Sequence, residues 1–342
     1  MKNHEYFMTK CIELAKIGNG DVSPNPMVGS IIVFDNKIIG SGYHKSYGHE
    51  HAEVNAINNV KDKTLLSKSI LYVNLEPCSH FGKTPPCADL IIKNKIPKVV
   101  IGCIDPNSKV SGKGIKKLKD NSVDVTYGVL DNECQELNKR FFTFNKLKRP
   151  YIILKWAKSS DNFIAPHNQN EPFWMTSKKS KKTVHKWRSQ EDAILVGTQT
   201  VIIDNPRLNV RLVSGKNPIR IVIDRKLNLS KELEVFNNDI KTIILNEIKS
   251  FSSETNDYVK IDFNDLINQL LDKLYELNII SIIVEGGAFT INQFINENAY
   301  DEIRIFTTTK ILKNGVKSPI TPKIKKIYSN NDDGDLLEIY RK

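Results

Sequence analysis

His51, Cys78 and Cys87 offer one imidazole and two thiols, a donor set that suits tetrahedral zinc with the fourth position left to water. His51-Ala52-Glu53 opens a segment with helical spacing. Pro77-Cys78 follows an apolar strand-like run, and Cys87 starts a further helical segment nine residues after Cys78. Helix starts favour the thiolate form that metal binding requires. Zinc lowers the pKa of bound water to ~7, and Glu53 is placed to move protons between that water, a ring nitrogen and a leaving amine. A purely structural zinc takes four protein ligands and has no use for such a carboxylate, so the expected metal is catalytic. Cys11, Cys103 and Cys134 match no ligand spacing and are expected to pack as small apolar residues; His4, His167 and His185 receive no metal role.

These groups must be held by a folded frame. The chain has 342 residues, a length that favours two domains. Its 40% hydrophobic and 26% charged residues exclude a disordered or collagen-like chain. No apolar run approaches the ~20 residues that span a bilayer, and no apolar stretch follows Lys2 as a secretory signal would need. Five sparse cysteines point to a reducing cytosol, and the expected location is the cytoplasm. The net charge of +11 fits an anionic ligand or compositional drift, and by itself separates neither.

The spacing predicts a helix over His4–Gly18, a hairpin of Gly29–Phe34 and Lys37–Gly42 turning at Asp35-Asn36, and a helix over His51–Val60. Strands at Ile70–Leu75, Val99–Ile104 and Val123–Tyr127 alternate with helices at Ala88–Lys95 and Gly114–Lys119. One helix is expected over Asp131–Lys148, stopped by Pro150, so the domains are placed at 1–148 and 149–342. The second half has strands at Tyr151–Trp156, Ala193–Val196, Ile219–Asp224, Thr242–Leu245 and Ile280–Val284. Its helices are Ser177–Arg188, Asp265–Leu277 and Phe289–Asn298, so both halves are α/β. Residues 330–335, Asn-Asn-Asp-Asp-Gly-Asp, read as a solvated turn.

H-x-E, then P-C after a strand, then a second Cys opening a helix, is the zinc deaminase signature. Eight residues separate the cysteines here, where base deaminases have two, and that loop carries His80 and Lys83. Upstream stand Pro24-Asn25-Pro26-Met27-Val28-Gly29 and His44; the Asn25 amide can pair with a pyrimidine edge. P-N-P-x-V-G, H-x-x-x-G-x-x-H-A-E, E-P-C-S-H-x-G-K-T-P-P-C and Asp105-Pro106-Asn107 together resemble the deaminase half of the bifunctional riboflavin biosynthesis proteins of the RibD type. The resemblance implies a cytidine-deaminase-like three-layer domain, with His51, Cys78 and Cys87 on zinc, Glu53 as proton shuttle, and Asn25, His44, His80 and Lys83 on substrate. In that family the substrate is a diaminopyrimidinone carrying a ribosyl 5′-phosphate.

The second half lacks G-x-G-x-x-G, but Ile282-Ile283-Val284 runs into Glu285-Gly286-Gly287-Ala288 before a helix, where backbone can approach a phosphate closely. Arg188, Arg207 and Arg211 could each grip a phosphate with a guanidinium fork. K-x-A-x-S-x-D from Lys155, W-x-T-S from Trp174, H-x-x-R from His185, D-A-I-L-V-G-x-x-T-V, D-N-P-x-L-x-x-R and E-G-G resemble the reductase half of the same family, a domain similar to dihydrofolate reductase. The resemblance implies NADPH reducing a ribosylamino group to ribitylamino. It assigns Lys158, Trp174, Thr200, Asp204, Gly287, Ala288, Phe289, Thr290, Ile291, Asn292 and Gln293 to the cofactor, and Pro172, Arg188, Leu208, Arg211 and Glu285 to substrate. Departures are Ser160 and Asn162 in the S-L-D-G element, Lys158 for a small residue, Pro172 where a Ser often contacts substrate, and Lys310-Ile311-Leu312-Lys313-Asn314-Gly315 for P-x-L-L-G.

Deamination first and reduction second is therefore the expected function, with a phosphorylated pyrimidine as partner, no nucleic acid or membrane, and a homodimer or higher homo-oligomer by resemblance. The alternative is a tRNA base deaminase with an accessory binding domain; it shares the zinc motif and the positive charge, and its binding should weaken steeply with salt.

Overall fold

Strands buried on both faces form the middle of each half, as parallel sheets require. The computed structural model describes residues 2–81, 85–108, 110–167 and 173–342. They fall into two units, Met1–Lys148 and Arg149–Lys342.

In the first unit, α1 (Lys2–Ala15) precedes the hairpin β1 (Gly29–Phe34) and β2 (Lys37–Tyr43), then α2 (Ala52–Asn58) and β3 (Ile70–Leu75). α3 (Cys87–Lys93), β4 (Lys98–Cys103), α4 (Lys113–Asp120), β5 (Asp124–Tyr127), α5 (Asp131–Leu137) and α6 (Lys139–Leu147) follow. The sheet runs β2-β1-β3-β4-β5, with β1 antiparallel to both neighbours and β3, β4 and β5 parallel. Asp35 and Asn36, both left-handed, close the hairpin as expected for a two-residue turn. Strand alternation sends Ile32, Leu71, Val73, Val99 and Ile101 toward Ala56, Ile57, Ala88 and Ile91 of α2 and α3, along with Ile115 and Leu118 of α4. Ile31, Tyr72 and Val100 meet Phe7, Met8, Cys11, Cys134 and Phe142 on the other side. Helices on both faces of one sheet make three layers.

The helix expected over Asp131–Lys148 is two helices. Between them Asn138, at φ −104 and ψ 23, donates from its amide to the Met27 carbonyl (2.9 Å) and accepts from the Met27 N–H (2.8 Å). That double clamp holds the Pro24–Gly29 segment in place and interrupts the helix.

The second unit comprises β6 (Tyr151–Lys158), β7 (Phe163–Ala165), α7 (Lys178–Arg188), β8 (Ala193–Val196), α8 (Thr198–Asp204), β9 (Ile219–Ile223), β10 (Thr242–Asn246), β11 (Phe251–Ser252) and β12 (Asn256–Lys260). α9 (Leu266–Glu276), β13 (Ser281–Val284), α10 (Ala288–Asn296), β14 (Glu302–Thr307), β15 (Val316–Lys317), β16 (Lys325–Asp332) and β17 (Asp335–Arg341) complete it. Ten strands order as β11-β12-β10-β9-β8-β13-β6-β14-β17-β16, parallel from β12 to β14 and antiparallel beyond. Residues 330–335 are thus the turn region of a long hairpin, and Asp335 is buried rather than solvated. Among the described residues no helix is long and apolar enough to cross a membrane.

Candidate active sites

β3 ends at Leu75 and delivers Glu76-Pro77-Cys78 to the carboxyl edge of its sheet, where ligands gather in open α/β sheets. His51 caps α2 in an extended conformation and Cys87 opens α3, so both side chains meet Cys78 there. His51 Nδ1 lies 3.3 Å from Cys87 Sγ and 3.6 Å from Cys78 Sγ, and the Cys87 N–H donates to Cys78 Sγ at 3.3 Å. The three donor atoms lie within 4.8 Å of one another. A tetrahedral zinc with ~2.0 Å bonds to nitrogen and ~2.3 Å bonds to sulfur has N···S edges of roughly 3.6 Å, so the donor set fits that ion. The Cys87 S–H hydrogen bond and the facing His51 lower the Cys78 pKa, and Cys78 together with burial pushes Cys87 up. Hydrogen bonding to Cys78 raises His51.

Glu53, in the first turn of α2, is only 3% exposed; burial raises its carboxyl to about 7, against the pull of His51. It therefore exchanges protons readily at neutral pH. Asn25 Nδ2 and His44 Nε2 are 3.1 Å apart, and His44 Nδ1 is anchored 3.0 Å from the Glu50 carbonyl, its ring edge-on to His51. His51, Glu53, Cys78, Asn25, His44 and His80 line one cavity of about 290 Å³. Lys83 lies outside the described residues.

Sequence reasoning assigned no role to four other contributors. Asp105 and Asn107, from the turn after β4, line the same cavity, as does Phe141 of α6. Burial raises the Asp105 carboxyl to about 7. Glu76 is buried and accepts four backbone N–H groups: Gly114 and Ile115 at Oε1 (2.9 and 3.1 Å), Gly112 and Asp105 at Oε2 (2.9 and 3.3 Å). The signal was present in E-P-C and D-P-N, but only the fold shows that one carboxylate ties the two segments together. Gly114 approaches so closely that a Cβ there would stand 2.0 Å from the Pro77 carbonyl oxygen. Glu76→Ala leaves those N–H groups without their acceptor. It should cost the first unit about 3 kcal/mol, read as a lower melting transition, and raise the deaminase KM while reductase turnover is kept.

In the second unit, β8, β13 and β6 bring their carboxyl ends together. α8 begins at Thr198, whose hydroxyl donates to the Ile223 carbonyl (2.5 Å), and the Gly287 N–H donates to Thr200 Oγ1 (3.1 Å). Gly286 and Gly197 allow this approach: a Cβ on Gly286 would stand 3.3 Å from the Gly197 nitrogen and 3.0 Å from Thr290. Of the expected cofactor segment, Phe289 is 77% exposed and Asn292 is exposed, whereas Ile291 packs in the core and Thr290 is buried. Trp174 is 56% exposed, and Asp204 is exposed at the end of α8. Lys158 donates to Asn162 Oδ1 (2.8 Å), so two residues that depart from the family pattern pair with each other.

Arg188 Nε and Nη2 grip Glu285 Oε1 and Oε2 at 3.0 and 2.8 Å, with Lys155 Nζ 3.7 Å from the same carboxylate. Burial opposes the Glu285 charge, yet Arg188 and Lys155 hold its pKa down at about 2. Burial lowers Lys155. Burial, then Arg188 and Arg211, lower His185 to about 4, and its neutral Nδ1 accepts the Arg211 N–H at 3.3 Å. That bond gives the histidine of H-x-x-R its part: it ties the Arg211 loop to α7. Leu208 is core, and Pro172 lies outside the described residues.

A family model for the RibD C-terminal domain matches residues 150–325, and one for the cytidine and deoxycytidylate deaminase zinc-binding region matches residues 1–103. The riboflavin biosynthesis protein RibD of Aquifex aeolicus is 40% identical over 316 residues, 91% of this chain and 88% of that protein. The chain belongs to the RibD family. The Escherichia coli RibD is 33% identical over 94% of this chain and 92% of its own length. A diaminohydroxyphosphoribosylaminopyrimidine deaminase/5-amino-6-(5-phosphoribosylamino)uracil reductase of Thermotoga maritima superposes with TM-score 0.89 at 38% identity, covering 99% of both chains. Acinetobacter baumannii RibD gives TM-score 0.90 at 29% identity over 99% of both chains. As a RibD protein, this chain is a bifunctional enzyme of riboflavin biosynthesis, a zinc-dependent deaminase and an NADP-dependent reductase, with Zn²⁺ and NADPH as cofactors. The expected α/β architecture, cytidine-deaminase-like and then dihydrofolate-reductase-like, holds.

Proposed function

We propose that residues 1–148 deaminate a diaminopyrimidinone ribosyl 5′-phosphate and that residues 149–342 then reduce its ribosylamino group to ribitylamino. The observation that carries this reading is the convergence of His51, Cys78 and Glu53 on one cavity with Asn25 and His44, with Cys87 completing the donor set. Zinc, when bound, supplies the Lewis acidity that makes water a nucleophile near neutral pH. Asn25 and His44 hold the pyrimidine edge. Glu53 takes the two protons of the attacking water in turn, passing the first to the ring nitrogen as the C–O bond forms and the second to the amino group, which leaves as ammonia as the C–N bond breaks. His80 lines the same cavity and contacts the same ligand, a role the family resemblance extends to Lys83.

In the second unit NADPH, when bound, supplies a hydride to C1′ of the sugar. Trp174, Thr200 and the start of α10 from Gly287 to Gln293 hold the cofactor, with Lys158 and Asp204 beside it. Arg188 and Arg211 bind the phosphorylated substrate, Glu285 orients it, and Lys155 holds a proton near the nitrogen that needs one. We place the reaction on a free nucleotide in the cytoplasm rather than on nucleic acid; the second unit's match to a reductase domain supports this.

Protein supplied with zinc and the ribotide should release ammonia and, with NADPH withheld, accumulate the deaminated ribosylamino compound. Stripping the metal should abolish ammonia release while NADPH oxidation on that compound continues. NADPH oxidation on the starting ribotide, with no such intermediate, would overturn the order of steps.

A further inference from the structure

The C-terminal hairpin reaches the start of α7 through one carboxylate. Asp333 and Gly334 turn left-handed (φ 58 and 84) between β16 and β17, with Asp332 paired to Asp335, the geometry of a two-residue hairpin turn. The turn sets Asp335 facing inward, 5% exposed. Its Oδ2 accepts the Ser177 N–H at 2.8 Å and the Ser180 hydroxyl at 2.6 Å. Ser177 in turn caps α7, accepting the Ser180 N–H at 3.2 Å. A carboxylate is favourable at that end of the helix, and burying it is tolerable because these donors meet it.

The anchored segment carries the reductase's proposed ligands at both ends. Trp174 lies three residues before Ser177; its ring is 56% exposed, so packing does not fix it. Its carbonyl accepts Lys310 Nζ at 2.5 Å, and Lys181 Nζ stands 3.7 Å over the ring. At the far end of the eleven-residue α7, Arg188 grips Glu285. A helix of that length is a lever of roughly 16 Å, so freedom at its first turn becomes displacement of Arg188.

We propose that Asp335 is a positioning residue of the reductase. Its carboxylate fixes the Trp174–Ser177 segment and the first turn of α7, setting Trp174 against the cofactor and Arg188 against the substrate. This role rests on the assignment of Trp174 and Arg188 above, and it falls beyond residue 325, where the match to the reductase family model ends.

Asp335→Ala, Asp335→Asn and Ser180→Ala in the full chain test it, read by NADPH Kd from nicotinamide fluorescence, ribotide KM and kcat in the reductase step, and melting temperature. The deaminase rate serves as internal reference. Asp335→Ala should raise Kd and KM about tenfold, with kcat within about threefold of wild type. Asp335→Asn keeps an acceptor oxygen and should recover most of both; Ser180→Ala should fall between. If Asp335→Ala is unfolded at the assay temperature, the other two carry the test. Kd and KM at wild-type values in folded variants, with only the melting temperature lowered, overturn the proposal. Trp174→Ala and Arg188→Ala separate the premises: if these leave Kd and KM unmoved, the site assignment itself fails. If they move them and the Asp335 variants do not, only the positioning role fails.

Discussion

Glu53→Gln is expected to slow ammonia release by about a thousandfold while the protein keeps its zinc. Glutamine has the volume of the buried carboxylate and fills the same space in the first turn of α2, so packing is preserved. It cannot take a proton from water or return one to the leaving group, and positioned acid–base catalysis contributes ~10²–10⁴-fold. Glu53 lies outside the His51–Cys78–Cys87 donor set, so metal content by elemental analysis should be unchanged. NADPH oxidation on the pre-deaminated ribosylamino compound should be unchanged too. A variant that binds zinc and deaminates at the wild-type rate would remove Glu53 from the chemistry.

The parts of this molecule legible in its sequence are those where one residue type carries its own meaning. Ile70–Leu75 is apolar except at Asn74 because it is a central strand covered on both faces, and the structure bears out its bounds to the residue. His51, Cys78 and Cys87 stand out because few other roles need that chemistry at that spacing. Hidden features depend on partners far apart in the chain. Glu302 and Arg304 of β14 are charged, and both are buried. Arg304 donates to Glu302 at 2.7 Å, with Tyr151 and Arg341 on the other carboxylate oxygen. Asn138 fits a helical period and is nevertheless the break between α5 and α6, because its amide is committed to Met27, 111 residues upstream. Asp335 sits in a run of turn formers and is buried by two serines more than 150 residues away. Local propensity names the turn correctly; it cannot see what the next residue meets.

Glu285→Gln should produce the largest loss in the other unit. The carboxylate at the end of β13 holds two partly buried cations, Arg188 by a bidentate pair at 3.0 and 2.8 Å and Lys155 at 3.7 Å. A neutral amide leaves those cations facing each other with no counter-charge. Breaking a buried pair costs ~3–5 kcal/mol, most of it for the charge left behind. The second unit should melt earlier, and, on the proposed assignment of Glu285 and Arg188 to substrate, reductase kcat/KM should fall at least a hundredfold. Glu285→Asp keeps the charge but shortens the reach, and should lie between. The sign of the pH effect follows from the depressed pKa: the carboxylate's contribution is present above its ordinary value of 4.5 and is lost as pH falls toward about 2. The pair is therefore intact through the neutral range, and Glu285 itself should leave no trace in the wild-type reductase profile between pH 5 and 8. The variant differs in a readable way. Burial already lowers Lys155, and Glu285 is the group that raises it, so removing the charge should carry Lys155 further down. If Lys155 holds the proton used in reduction, the alkaline limb of the profile moves to lower pH in Glu285→Gln. Deaminase turnover in the same protein should stay at the wild-type rate. Wild-type reductase kcat/KM in a folded Glu285→Gln protein would show that the Arg188–Glu285–Lys155 cluster holds the strands together without taking part in the reaction.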